Sequence, residues 1–218
     1  MTCGDLASSA GSALCKERFV VTTSAPTRKD AVRNRRRILA AAGEVLRDDF
    51  QNASIPLIAE RAGVGTATVY RYFSSLESLL REYLHGVIVK LRDYSHDSTK
   101  SGTDLFEDVV GKLGEVLEVN GPAMVHLRRP VGFLERLREG DPVIQTVRDA
   151  WERPVRAVLR SKGIGDEHFD HALFLYNQIY DPREVLDLVA EGMTMAEAMR
   201  FLTQVYYGAL DGMVGARR

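Results

Sequence analysis

The side chains with the clearest chemical purpose lie in the run Thr66-Ala-Thr-Val-Tyr-Arg-Tyr-Phe73. On a helix, Val69 and Phe73 are four residues apart and share one face, which leaves Thr66, Ala67, Thr68, Tyr70, Arg71 and Tyr72 on or near the outer one. Short hydroxyl and methyl side chains suit the base edges of a duplex. Tyrosine hydroxyls and a guanidinium suit its phosphate oxygens, with Tyr70 also long enough to reach a base.

A helix this short has to be held by others. Residues 55–62 read as a preceding helix, with Ser54 as its cap, Pro56 tolerated in its first turn, and Leu57, Ile58 and Ala62 as its apolar face. Gly63-Val64-Gly65 is the turn. Gly63 suits a left-handed backbone, Val64 plugs the core and Gly65 caps the next helix. Two helices on a tight turn predict a helix-turn-helix whose second helix enters the major groove. Upstream, Ile38, Leu39, Ala42, Val45 and Leu46 repeat at helical spacing behind a basic run of Arg28, Lys29, Arg33, Arg35, Arg36 and Arg37. A basic run is ordinarily a solvated face. Directly before a helix-turn-helix, Arg33 and Arg35 are expected to reach phosphates or the minor groove.

Charge follows the same division. The formal net charge of −1 conceals 14 Lys/Arg against 8 Asp/Glu over residues 16–92, and 15 against 21 over residues 93–218. One basic end on a near-neutral chain fits a protein in which one part meets phosphate and the rest does something else.

The chain resembles the tetracycline-repressor (TetR) family of bacterial transcription regulators. The matching residues are Arg37-Ile-Leu-Ala-Ala-Ala42, Ile58-Ala59, Ala62-Gly-Val-Gly65, Thr68-Val-Tyr70, Tyr72-Phe73 and Leu79-Leu80, in family order and spacing over residues 33–85. There are two departures. Gly65 stands where the family often has Ser, and Leu76 stands where it often has a phosphate-touching Lys. Beyond residue 85 the match is only in length and helicity. The resemblance implies DNA binding by the N-terminal helices, and a C-terminal part that dimerises through its last two long helices and holds a small molecule.

The rest of the chain reads as helix throughout, so the expected fold is all-α: a three-helix helix-turn-helix domain followed by a helical ligand-binding and dimerisation domain. Residues 1–27 read as a disordered tail, 28–74 as the DNA-binding domain and 75–218 as the second domain. Ser74 and Glu77 form a capping-box pattern for a long helix to about Tyr94, the one evident rigid connector. An amphipathic helix from Leu105 should end near Asn120-Gly121, with Pro122 opening a segment that Pro130 interrupts. Asp141-Pro142 starts another helix, which Pro154 should bend. Bent helices leave gaps, and gaps in a bundle take apolar ligands. His126, Phe133, Trp151, Tyr176 and Asn177 are the candidate lining. The final helix is apolar on several faces, so Phe201, Leu202, Val205 and Ala209 are expected at a homodimer interface.

Other classes are disfavoured. His168 and His171, three apart beside Glu167 and Asp170, have a composition that a metal would accept, but an exposed acidic helix start is the simpler reading. No nucleophile elbow or phosphate loop is present, so neither an enzyme nor a cofactor is expected. No apolar run spans a bilayer, and Cys3 and Cys15 make no disulfide framework, which suits a cytoplasmic, nucleoid-associated protein. The expected function is transcriptional regulation, with repression from a near-palindromic operator relieved by a small-molecule effector. The alternatives are a ligand-independent DNA-binding protein or a helical enzyme fused to a DNA-binding module.

Overall fold

The computed structural model describes residues 28–215, and the expectations for residues 1–27, Cys3 and Cys15 lie outside them. The described residues form ten α-helices and no strand: α1 (Arg28–Asp49), α2 (Ile55–Ala62), α3 (Thr66–Tyr72), α4 (Leu76–Asp97), α5 (Gly102–His126), α6 (Phe133–Arg138), α7 (Pro142–Ser161), α8 (Phe169–Ile179), α9 (Pro182–Ala190) and α10 (Met195–Gly215). Among them, no helix is long and apolar enough to cross a membrane.

Two hydrophobic clusters organise these helices. The first gathers Ile38, Val45, Ile58, Val69 and Phe73 with Leu79, Leu80 and Leu84 of α4, and takes in Ala123 and Leu127 from the end of α5. A seven-residue helix such as α3 has no stability alone. The complete burial of Val69, contributing about 1.5–3 kcal/mol, and the burial of Phe73 pin it in place. The second cluster holds α5, α7, α8, α9 and α10 around Phe106, Trp151 and Tyr206. Met124 packs against both. The connector helix α4 is therefore not the only link, because the last turn of α5 belongs to both cores.

That turn exists because α5 does not stop where Asn120-Gly121 predicts. It continues to His126 with Pro122 inside it. Pro122 and Glu118, whose carbonyl loses its helical partner, are both exposed, so the broken rung lies on the solvent side of the helix. Burial of Ala123 and Leu127, and packing of Gly121 on Leu186, outweigh the loss. Other caps also differ from expectation. The capping box at α4 is made by Ser75 and Ser78, not Ser74 and Glu77. Ser54 occupies the N-cap of α2 without a side-chain bond. Asp141 caps α7 as its sequence predicts, accepting from Val143 N–H at 2.9 Å and Ile144 N–H at 3.3 Å. Thr194 and Glu197 cap each other reciprocally ahead of α10.

The α2–α3 turn depends on Gly63, which has φ 61° and ψ 41°. A β-carbon there would sit in a left-handed conformation and meet the Arg37 guanidinium at 2.8 Å. Replacing Gly63 with Ala should therefore lower the unfolding free energy by about 1–2 kcal/mol. Urea denaturation measures this, and an unchanged midpoint would show that the turn relaxes freely.

Candidate DNA interface and ligand cavity

The outer face of α3 is built from its inner one. With Val69 and Phe73 in the core, Thr66, Ala67, Tyr70 and Arg71 are exposed and Thr68 is half-buried. Tyr70 is 54% exposed, unusual for a large aromatic side chain. Arg71 pairs with no carboxylate among the described residues and lies 5.3 Å from the centre of the Tyr72 ring. Tyr72 departs from expectation. It follows Val69 by three positions, so it leans back toward the core, and its hydroxyl is enclosed without a partner instead of facing outward.

The basic run divides. Arg33 stays exposed on α1. Arg35 instead forms a two-pronged ion pair with Glu82 of α4 and lies 5.2 Å from the Phe73 ring centre, so it ties α1 to α4. A partner 47 residues away is invisible to local spacing. Arg37 donates to the Gly63 carbonyl at 3.3 Å and braces the turn that sets α3.

A cavity of about 360 Å³ opens between α4, the end of α5, the following loop, α6 and α7. Its apolar wall includes Leu84, Ile88, Phe133, Ile144 and Val147; its polar lining includes His85, Arg128, Arg129, Arg136, Asp141 and Asn177. Two of the expected lining residues, Phe133 and Asn177, are present. Three are elsewhere. Trp151 and Tyr176 pack ring on ring, with centroids 4.0 Å apart, inside a continuous aromatic core with Phe106 and Tyr180. Burial pushes the Tyr176 phenol well above its usual range, as befits a core group. His126 is exposed and meets Phe50 edge to face at 5.6 Å, at the contact between α5 and the N-terminal helices. The gap forms where the chain leaves α5 near Pro130. Pro154 is itself buried in the packing of α7.

Arginines dominate the polar side. Arg136 donates to Asp141 through Nε at 3.0 Å and holds it again through a second nitrogen at 2.9 Å. Burial raises the Asp141 carboxyl, but the hydrogen bond and charge of Arg136 and the two capping N–H groups outweigh that, leaving it below the ordinary carboxylate range. His85 meets the Thr146 hydroxyl at 3.1 Å. Arg128 pairs with Asp181, the buried N-cap of α9.

On α10, Phe201 and Val205 are 48% and 41% exposed, and Ala209 is half-buried one turn further on. Beside them, β-carbons at Gly208 and Gly212 would meet nothing within 4 Å. Leu202 does not join this face. It is buried in the chain's own second core, one position round the helix from Phe201. Around α8, Asp170 pairs with Arg148 at 2.9 Å and His171 is exposed. No group of three or more His, Cys, Asp and Glu side chains among the described residues could hold a metal ion.

Residues 38–83 match the family model described as bacterial regulatory proteins, tetR family. No curated protein matches the chain. Among solved structures, the transcriptional regulator FadR from Bacillus subtilis, in complex with stearoyl-CoA, superposes with a TM-score of 0.60 at 15% identity, over 79% of this chain and 97% of that one. A TetR transcriptional regulator from Rhodococcus sp. RHA1 gives 0.55 at 22% identity, over 80% and 94%. The TetR-like transcriptional regulator LfrR from Mycobacterium smegmatis, in complex with proflavine, gives 0.52 at 22%, also over 80% and 94%. At these identities the likeness is one of fold.

The cap at the cavity edge is testable by itself. Asp141→Ala should cost about 1–2 kcal/mol of stability at neutral pH. Because the folded carboxyl titrates below its unfolded value, the native contribution is complete above the unfolded pKa and fades as pH falls through the folded one. Urea midpoints of the two proteins should therefore converge in acid, and a constant gap would contradict the assignment.

Proposed function

Because this chain belongs through its N-terminal helices to the TetR family of bacterial regulatory proteins, we propose that it is a homodimeric repressor that grips operator DNA with α3 and lets go when a small molecule enters the cavity. This would place it on the nucleoid in the cytoplasm. The observation that carries the reading is the exposed outer face of α3, seated on the buried Val69 and Phe73, with Arg71 unpaired among the described residues. Thr66, Ala67 and Thr68 begin the helix and are assigned to base edges; Tyr70, Arg71 and Arg33 are assigned to the backbone. The exposed Phe201–Val205 stripe, continued by Ala209, supports a contact with a second copy.

The cavity supports the ligand half of the reading through two of its walls. Leu84 of α4 and Leu127 at the end of α5 line it and also belong to the core beneath α3. A molecule that fits only a shifted arrangement of these walls would favour the arrangement whose two recognition helices no longer match the duplex. It must bind that state more tightly, since equal affinity shifts nothing. A coupling of about 1–3 kcal/mol lowers operator affinity roughly 5- to 150-fold. Folds like this one hold molecules as different as stearoyl-CoA and proflavine, so the ligand is a matter of the lining rather than the fold.

Selection from a random duplex pool should return a near-palindrome with half-sites about 34–36 Å apart or somewhat more. No enrichment would sink the proposal. On the selected site, Arg71→Ala should weaken binding to every variant alike and reduce the salt slope by about one phosphate contact, whereas Thr66→Ala should change sequence preference. Equal loss across all sequences for Thr66→Ala would refute its base-reading role. Sedimentation should find a dimer that Phe201→Glu or Val205→Glu breaks into monomers; a monomeric wild type at micromolar concentration would overturn the assembly.

A further inference from the structure

The lining of the cavity is unbalanced in a way that specifies its guest. Asp141 has about four acceptor positions, as any carboxylate does. All are taken: Oδ1 by the Val143 and Ile144 N–H groups, and Oδ2 by two nitrogens of Arg136. Arg129, on the loop above, approaches Asp141 only to 3.6 Å, beyond hydrogen-bond distance, and its side chain is 49% exposed. The other acid nearby, Asp181, is equally filled. Its Oδ1 accepts from the backbone N–H and Nε of Arg183, while its Oδ2 takes a second Arg183 nitrogen and Arg128. Arg81 is held by Glu77 at 2.6 Å. Of the four arginines around the cavity, Arg129 alone has no carboxylate oxygen within hydrogen-bond distance among the described residues. On another wall, the Asn177 side chain makes no hydrogen bond with them.

We propose that the cavity binds a single-chain amphipathic anion, whose carboxylate or phosphate head takes the open donors of Arg129 while its hydrocarbon body lies on Phe133, Ile144 and Val147. This rests on reading the cavity as the effector site. An Arg fork matches both head groups, and a bond to an ionised acceptor is roughly twice as strong as a neutral one. A space of about 360 Å³ accommodates a medium-length chain such as an octyl group.

Calorimetric titration of the full chain with octanoate, octyl phosphate and 1-octanol separates head from tail. At least one anion should bind about tenfold or more tightly than the alcohol, and whichever binds better identifies the head group. Arg129→Gln should remove most of that advantage and leave octanol binding unchanged. Arg138→Gln, on an exposed residue outside the cavity lining, should leave the advantage intact. Thermal melting establishes that both variants are folded. The inference fails if octanol binds as tightly as both anions, if nothing binds, or if folded Arg129→Gln keeps the preference. The regulatory reading fails separately: octanoate that binds through Arg129 yet leaves affinity for the selected duplex unchanged would keep this site and remove its role as a switch. A neutral molecule that releases the duplex while the anions do not bind would do the reverse.

Discussion

The last turn of α5 has to fill two cores at once, and most of what this protein can do depends on that. Ala123 and Leu127 complete the cluster beneath the helix-turn-helix, while Met124 packs against both that cluster and the C-terminal one. A close-packed interior transmits displacement because it has little empty space to absorb it. A side chain that belongs to two cores makes the position of each a condition on the other. The Pro122 inside this helix costs a backbone hydrogen bond, and the helix persists because its terminal turn is buried on the far side. The loop that leaves this turn roofs the cavity, so the same few residues touch the candidate ligand space and the floor beneath α3.

Charge is used in two ways. Arg35 and Arg37 lie in the basic run but are spent on the protein itself, one pairing with Glu82 and the other bracing the Gly63 carbonyl. Exposed pairs of this kind add little stability, at most about 1 kcal/mol, but they orient α1, α4 and the turn relative to one another. Around the cavity, the two aspartates that cap α7 and α9 also anchor arginines, Arg136 of α6 at Asp141 and Arg128 of the α5–α6 loop at Asp181. Helix caps and cavity lining are thus made of the same groups.

Much of this was legible from residue types at short range. The turn at Gly63, the cap at Gly65, the inward pair Val69 and Phe73, the helix start at Asp141-Pro142 and the all-helical fold each follow from spacing within a few positions, because capping, left-handed backbone and helical periodicity are local properties. The exposed Phe201 and Val205 were legible too, from a helix with more apolar faces than one core could cover.

Which of several equivalent residues does which job was decided only in three dimensions. Periodicity says that Trp151, Tyr176 and Phe133 are apolar and inward, but not that the first two close on each other in a solid aromatic core while the third faces a void. It places Leu202 beside Phe201 without saying which one the chain's own core claims. It lists the arginines of the basic run and of the α5–α6 loop without revealing which meet a carboxylate. Such partners lie tens of residues apart, and whether a charge is satisfied depends on how many acceptor positions its neighbours have already filled. Sequence by itself determined the helices, the last turn of α5 excepted, and the face that α3 turns outward, since backbone geometry and nearest neighbours dictate those. Tertiary structure decided where the empty space lies and which charge is left over beside it, because both are properties of packing between helices rather than of any one helix.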